Sequence, residues 1–311
     1  MVLMSTQKVV APPAVASMFL VLTVKQGREN HVRETLGDLA ELNRAVSFRA
    51  PHSNLLTVAG IGSDLWDRML PDLPRPKKLH PFIELDGGKH KAPATPGDLL
   101  LQYRADRHDL CFEAARIMLN AFGDAVDVVD ETHGFTYFDQ RDLLGFVDGT
   151  ENPEDNAAHI AAKVSAADDP EFAGGSYVHI QKYTHDLSAW NELSTEEQEA
   201  AIGRTKLDDV ELKDKPSNSH VALNDLDDDD DEGNAREILR QNMAFGSFGD
   251  KEFGTYFIGY SRDPEITEEM LRHMFIGNPP GNYDRILDFS TAITGGLFFV
   301  PPVEMLDDIA D

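Results

Sequence analysis

Asp148, His220 and Arg240 are the side chains whose type and setting suggest chemistry. Asp148 lies in Arg141-Asp142-Leu143-Leu144-Gly145-Phe146-Val147-Asp148-Gly149-Thr150-Glu151-Asn152-Pro153, an acid between two glycines. Where Cβ atoms are missing, main chain can approach a flat ligand closely, and here it would bring a carboxylate with it. His220 sits in Asn218-Ser219-His220-Val221-Ala222-Leu223, and Arg240 in Ile238-Leu239-Arg240-Gln241-Asn242. A carboxylate can move protons, a neutral imidazole can ligate iron, and a guanidinium can hold developing negative charge. Each also has a plain structural reading. An acid in a Gly-x-x-Asp-Gly string is ordinarily a turn residue. A lone histidine among eleven is ordinarily surface or core, and an arginine ordinarily pairs with an acid in solvent.

The elements that must position these groups follow from periodicity. Phe19-Leu20-Val21-Leu22-Thr23-Val24 reads as a strand, and Arg28 to Leu42 as an amphipathic helix with Val32, Leu36, Leu39 and Ala40 on one side. Leu55 to Ala59 is a second strand and Ser63 to Leu70 a short helix. The proline-rich passage from Pro71 to Pro96 holds one apolar piece, Phe82 to Leu85. Leu99 to Tyr103 as strand, Leu110 to Phe122 as helix and Ala125 to Val129 as strand complete a β-α-β, β-α-β order, the split pattern of a ferredoxin-like layer. The theme returns with a strand over Ser176 to Tyr183 and a helix over Thr195 to Ile202, capped by Thr195. A strand over Thr255 to Tyr260, a helix over Glu265 to Met274 and a strand over Gly296 to Val300 finish the repeat. Residues 220–249 are expected to be mostly irregular. The expected organisation is a loose arm over residues 1–16 and two α+β halves, 17–153 and 154–311.

Composition limits the partners. The chain has 311 residues, 41% of them hydrophobic, and a formal charge of -27. That charge disfavours nucleic acid and anionic membrane, which it repels, and permits cationic or neutral substrates. Mean hydropathy is -0.35, and no apolar run approaches the roughly 20 residues that span a bilayer. Met1 to Ser17 shows neither a basic region followed by an apolar stretch nor a twin-arginine pair, so the expected compartment is the cytoplasm. Cys111, the single cysteine, permits no internal disulfide and is expected to pack as a small apolar residue on a helix. A GxxxxGK[ST] phosphate loop, an HExxH zinc pair and a GxSxG elbow are all missing.

Gly145-Phe146-Val147-Asp148-Gly149-Thr150-Glu151-Asn152-Pro153 resembles the GFxDGTxNP signature of dye-decolourising peroxidases, haem enzymes of two ferredoxin-like halves. Further matches are Gln181 to Leu187, Ile202-Gly203-Arg204-Thr205-Lys206, Ser219-His220, Arg240 with Asn242, and Asp288-Phe289-Ser290. They run in compatible order between Phe19 and Pro302, and the length suits the bacterial, cytoplasmic branch called type B. The resemblance implies an α+β fold of two halves arranged like a dimeric α+β barrel, with antiparallel sheets and haem b in the C-terminal half. It implies His220 as the axial iron ligand, Asp288 as the acceptor that orients it, and Asp148 and Arg240 on the distal side with Asn242 as a further hydrogen-bonding group. Arg204 is the candidate for a haem propionate, and Gly149 and Thr150 would let main chain lie against the porphyrin rim.

The implied activity is reduction of hydrogen peroxide with oxidation of small aromatic or dye-like donors through a ferryl species, in a homo-oligomer. Packaging in a protein shell is not expected, because only Val303 to Asp311 follow Pro302. A haem carrier using the same pocket without turnover is the alternative. Trp66, Trp190, Tyr183 and Tyr256 could relay electrons, though aromatics at such positions are ordinarily core. The run Asp225 to Glu232 looks like an insertion. It lacks the twelfth-position acid of a calcium loop and reads as a solvated acidic loop rather than the centre of an ion-binding protein.

Overall fold

Strand β1 (Ala16–Val24) is buried along nearly its whole length, so both of its faces need cover. Met18, Leu20 and Leu22 pack into helices on one side, and Phe19 and Val21 into the interior of a barrel on the other. The computed structural model describes residues 7–226, 233 and 235–310. After β1 come α1 (Glu29–Gly37), α2 (Leu39–Ser47), β2 (Leu56–Gly62), α3 (Ser63–Met69), the short hairpin of β3 (Leu85–Asp86) and β4 (Lys91–Ala92), β5 (Leu99–Ala105), α4 (His108–Phe122) and β6 (Val126–Phe135). The second half holds α5 (Asp155–Ala162), β7 (Ser176–His185), α6 (Leu187–Glu192), α7 (Thr195–Ile202), α8 (His220–Asn224), β8 (Leu239–Arg240) and β9 (Met243–Ser247). It ends with β10 (Glu252–Ser261), α9 (Pro264–Phe275), β11 (Ser290–Ala292), β12 (Gly296–Val300) and α10 (Val303–Ala310).

The first half orders its strands β2-β5-β1-β6 and the second β12-β7-β10-β9. In each, the first and third strands in sequence are central, the fourth flanks the first and the second flanks the third. This ferredoxin-like order is what the alternation of strands and helices predicted. The halves join where Phe298 and Phe299 of β12 meet β2, and where Phe135 of β6 meets Ala244 of β9. With β7 paired to β10, these joints close an antiparallel barrel and remove its open edges. The interior is mainly apolar, with Phe19 stacked on Tyr256 at 4.0 Å, and it also encloses Gln102, which accepts from Tyr260 Oη, and Arg104, which donates to Gln241.

The outer faces of the two halves differ, and that difference creates the site. In the first half the outward residues Leu20, Leu22, Ile61 and Leu101 form one dry core with Val32, Leu36, Cys111 and Met118 of the helices. Cys111 is fully buried there, and burial pushes its thiol up to about 12. In the second half the corresponding face presents Gln181 opposite Phe257 and Tyr183 opposite Thr255, followed by His185. Gln181 is fully buried, whereas Tyr183, His185, Thr255 and Phe257 border a space beneath α9.

Several local expectations change. The helix expected over Arg28 to Leu42 is two, divided at Asp38, because Gly37-Asp38 is its weakest helix-forming pair. Strand β6 runs on through polar residues to Phe135 because β1 supplies a full ladder. Ser194, not Thr195, caps α7, in a capping box with Glu197. The arm is held from Gln7 onward, whose side chain bonds Ala59 O and Pro301 O at 3.0 Å each. Within residues 220–249, expected to be mostly irregular, the described residues include the short elements α8, β8 and β9. Among the described residues no helix is long and apolar enough to cross a membrane.

Candidate active site

The space beneath α9 is a cavity of about 330 Å³, bounded by the polar face of β7 and β10, by α8 and α9, and by residues 142–151. Asp148, Gly149, Thr150, Arg204, His220, Arg240 and Asn242 all line it, although they are spread over almost a hundred residues of sequence. Asp288 does not.

His220 is the first residue of α8, whose N-cap is Ser219, so its ring is set by a helix start rather than a loose loop. Its Nδ1 lies 2.7 Å from Oδ2 of Asp284, a carboxylate with no solvent exposure. Asn224, one turn along, donates to His220 O at 2.8 Å and lies 3.4 Å from the same Asp284 oxygen. The other Asp284 oxygen accepts from Ile286 N at 3.0 Å. Burial works against a charged His220, but the charge and hydrogen bond of Asp284 outweigh it and hold the imidazole above its ordinary value. Nε2 is the nitrogen left for a ligand. The orienting acceptor is therefore Asp284, and the assignment of Asp288 to that position is corrected. Asp288 closes the same short turn and is directed away. Its carboxylate bonds Lys89, His90 at 3.1 Å, Tyr283 at 3.1 Å and Arg285 at 3.2 Å, which ties the turn to the β3–β4 hairpin.

Asp148 and Arg240 are brought together by two asparagines. Asn242 donates from Nδ2 to Asp148 Oδ1 at 3.1 Å and accepts from Ile258 N at 3.2 Å, fixing the carboxylate to β10. Asn152 bonds the main chain of Arg240. Burial raises the Asp148 carboxyl above its ordinary value, while the charge of Arg240 and the bond from Asn242 pull it back. The Nε of Arg240 is buried and, among the described residues, has no hydrogen-bond partner. A buried donor without a partner is costly unless something else fills its site.

At the rim, Arg204 donates to Asp209 Oδ1 at 2.8 Å and to Asp209 O at 2.7 Å, and it pairs with Glu151. Thr150 Oγ1 donates to Asp209 Oδ2 at 2.5 Å. Three further groups line or frame the site without having been singled out from sequence. Asp142 accepts from Phe146 N at 3.0 Å, and burial together with the charge of Asp148 pushes its carboxyl up to about 7. His185 bonds Ser290 Oγ at 2.8 Å and Thr255 Oγ1 at 2.9 Å, and burial pushes it down to about 4. Asp284 is the third. For Asp142, the signal was a second acid six residues before Asp148; for Asp284 no local signal separates it from its neighbours. Asp227 to Glu232, the core of the acidic run, lies outside the described residues. Among the described residues no group of three or more His, Cys, Asp or Glu side chains is arranged to hold a metal ion.

Comparison with known proteins covers both halves of the chain. Residues 6–136 match the model of the N-terminal domain of Dyp-type peroxidases, and residues 139–305 that of the C-terminal domain. The chain belongs to the Dyp-type peroxidase family. It is accordingly a peroxidase, an oxidoreductase. A dye-decolorizing peroxidase of Mycolicibacterium paratuberculosis is 58% identical over 304 residues, which cover 97% of this chain and 85% of that protein. The encapsulated DyP-type peroxidase from Mycobacterium smegmatis, solved by cryo-electron microscopy, is 58% identical over 98% of each chain, with a TM-score of 0.94. A variant of DypB from Rhodococcus jostii in complex with haem is 55% identical, covers 97% of this chain and 98% of that one, and has a TM-score of 0.93. The α+β architecture of two ferredoxin-like halves is shared with these structures.

Proposed function

We propose that this chain is a haem b peroxidase that reduces hydrogen peroxide and oxidises small aromatic or dye-like donors, with His220 as iron ligand and Asp148 and Arg240 on the distal side. One observation carries the reading: a single cavity is lined by an imidazole whose Nδ1 is held by a buried carboxylate, by an acid bonded to a carboxamide, and by a guanidinium. The residues present fit haem. The Nδ1–carboxylate pair is the arrangement that orients and strengthens metal-bound imidazoles, and Arg240 Nε, buried and without a partner among the described residues, suits a polar group on a ligand. Val221, Ile238, Phe257, Met270 and Leu271 give apolar walls for a flat macrocycle. Arg204 would meet a propionate, sharing it with or releasing Glu151, and Gly149 and Thr150 would border the rim.

Bound haem supplies the iron that exchanges electrons between peroxide and donor. The chain supplies the proton path and the charge. Peroxide reduction consumes two protons and two electrons and yields two waters, so one proton must leave the oxygen that binds first and reach the oxygen that departs. Asp148 can take and return it, because burial keeps its carboxyl more basic than a free aspartate. Arg240 stabilises negative charge on the cleaving oxygens with fixed donors, and Asn242 holds the acid in place. The relative weight of Asp148 and Arg240 is an outcome of the test. The division into halves 17–153 and 154–311, a cytoplasmic location and homo-oligomerisation belong to the same reading. Packaging in a protein shell, set aside from the sequence, joins it because the encapsulated relative matches along 98% of both chains.

The test is an absorbance scan of the haem-loaded protein with peroxide titration. Asp148→Asn and Arg240→Leu should keep haem yet slow the peroxide-driven change of the Soret band by about 10²- to 10⁴-fold where proton transfer limits it. His220→Ala should shift or lose the band. A His220→Ala protein with an unaltered Soret band, or two distal variants that react at the parent rate, would refute the assignment. Haem that passes quickly to an apo-acceptor, with no donor oxidised under peroxide, would instead identify a haem carrier.

A further inference from the structure

Asn152 closes the motif that carries Asp148, yet its side chain reaches neither the acid nor the interior of the cavity. It bonds the main chain of Arg240, 88 residues away: Oδ1 accepts from Arg240 N at 2.9 Å and Nδ2 donates to Arg240 O at 2.8 Å. A carboxamide presents one acceptor and one donor, as a peptide group does, so it can stand in for a neighbouring strand. Strand β8 needs one. It is two residues long and its ladder is with β10, leaving Arg240's outward N–H and C=O to find other partners.

The other end of Asn152 is fixed to the Asp148 loop. Its own N–H donates to Gly149 O at 3.0 Å. Gly149 has φ +87°, and a Cβ there would stand 3.1 Å from Asn152 Nδ2. One residue, through its N–H at one end and its side chain at the other, therefore connects the main chain just after Asp148 with the main chain of Arg240, independently of the Asn242 link between Asp148 and β10.

We propose that Asn152 is a positioning residue that sets the separation of Asp148 and Arg240, so that acid and cation act on the same bound peroxide. The proposal rests on the peroxidase reading of those two residues. It also explains the residue type. Aspartate would accept from Arg240 N but place a second carboxylate oxygen against Arg240 O, and alanine would leave both main-chain groups without partners.

Asn152→Ala and Asn152→Asp, each alone and combined with Arg240→Leu, test it through two readouts. The first is hydrogen–deuterium exchange at the Arg240 amide in the haem-free protein, where peroxide chemistry plays no part. Exchange should accelerate by about tenfold or more in Asn152→Ala, since a local opening now exposes that N–H, and much less in Asn152→Asp, which keeps the acceptor. The second is the rate of the peroxide-driven Soret change. Asn152→Ala should slow it by about ten- to a hundredfold, the scale of ångström-level misplacement of a catalytic group. In the Arg240→Leu background the same substitution should change it by less than about twofold, because residues acting through one another are non-additive. An equal factor in both backgrounds, or unchanged exchange and rate in Asn152→Ala, overturns the proposal. Should Asn152→Ala fail to fold, Asn152→Asp gives both readouts with half of the contact retained. If Arg240→Leu alone leaves the rate unchanged, Arg240 does not act on peroxide and the proposal fails, while the peroxidase reading rests on Asp148; faster exchange in Asn152→Ala then places the failure at Arg240 rather than at Asn152.

Discussion

Removing the Asp284 carboxylate should damage both the stability of the haem-free protein and its hold on haem, and the geometry sets the scale. The carboxylate is fully buried, lies 2.7 Å from His220 Nδ1 and 3.4 Å from Asn224 Nδ2 through one oxygen, and accepts from Ile286 N at 3.0 Å through the other. Asp284→Ala leaves all three groups short of a partner, and breaking a buried pair from one side costs about 3–5 kcal/mol. Asp284→Asn keeps the volume and one acceptor, so its loss should be nearer the cost of one hydrogen bond to a charged group, about 1.5–3 kcal/mol. Haem affinity should fall about 10- to 100-fold in either variant, as it does when an outer partner of a metal-bound imidazole is removed. Urea unfolding of the haem-free protein measures the first effect and Soret titration with haem the second. Asp288→Asn is the control, because its partners Lys89 and Arg285 are solvent-exposed and such pairs contribute about 0–1 kcal/mol. Equal losses at positions 284 and 288, or an Asp284→Ala protein with parental stability and haem affinity, would refute the assignment of Asp284 to His220.

Two predictions concern pH. Asp142 has its carboxyl pushed up to about 7 by burial and by Asp148, against about 3.9 in an unfolded chain. The folded state therefore binds this proton more tightly, and the contribution is present below the unfolded value and lost as pH rises through about 7. Asp142→Asn should remove that decline, so urea unfolding at pH 4 and pH 8 should show a smaller drop than in the parent; an identical drop would contradict it. His80 lies 2.8 Å from Pro81 O through Nδ1 and 3.1 Å from a Glu268 oxygen through Nε2, two acceptors that require both nitrogens to be protonated. The Glu268 bond raises its pKa despite burial, so this contribution too is complete below about 6.5 and disappears as pH rises through the folded value. His80→Gln should flatten stability between pH 6 and 9, and a parent protein already flat there would contradict it. Gly149→Ala should cost about 1–2 kcal/mol for a left-handed non-glycine residue, plus the 3.1 Å contact with Asn152. Its unfolding midpoint should fall while haem is retained, and an unchanged midpoint would count against strain at this turn.

Much of this protein is readable one segment at a time. The apolar run Phe19 to Val24, the alternating residue types over Ser176 to Tyr183 and the helical spacing over Leu110 to Phe122 locate the elements, because a strand covered on both faces is apolar throughout and a helix face repeats about every 3.6 residues. The βαβ order in each half limits the sheet to a few permutations, and the observed one is among them. Motif chemistry names Asp148, Gly149, Thr150, Arg204, His220, Arg240 and Asn242, which line one cavity. Local signals fail where a choice depends on distant chain. The division at Asp38, the extension of β6 to Phe135 and the tethering of Gln7 are decided by what each segment meets.

By itself, then, the sequence determined which groups were available: an imidazole, an acid in a glycine turn, a guanidinium and two ferredoxin-like frames to carry them. Only the tertiary structure decided which carboxylate the imidazole meets. Asp284 and Asp288 flank the same short turn, and four residues of spacing do not say which points inward. Asp284 does, because its N–H bonds Met274 O at the end of α9 and draws the start of the turn beneath α8, while Asp288 is held outward by Lys89 and His90 of the hairpin. Asp148 and Arg240 are brought to one cavity in the same way. Asn242 bonds Asp148 and Asn152 bonds the main chain of Arg240, bridges between segments far apart in sequence that exist only after the barrel has closed.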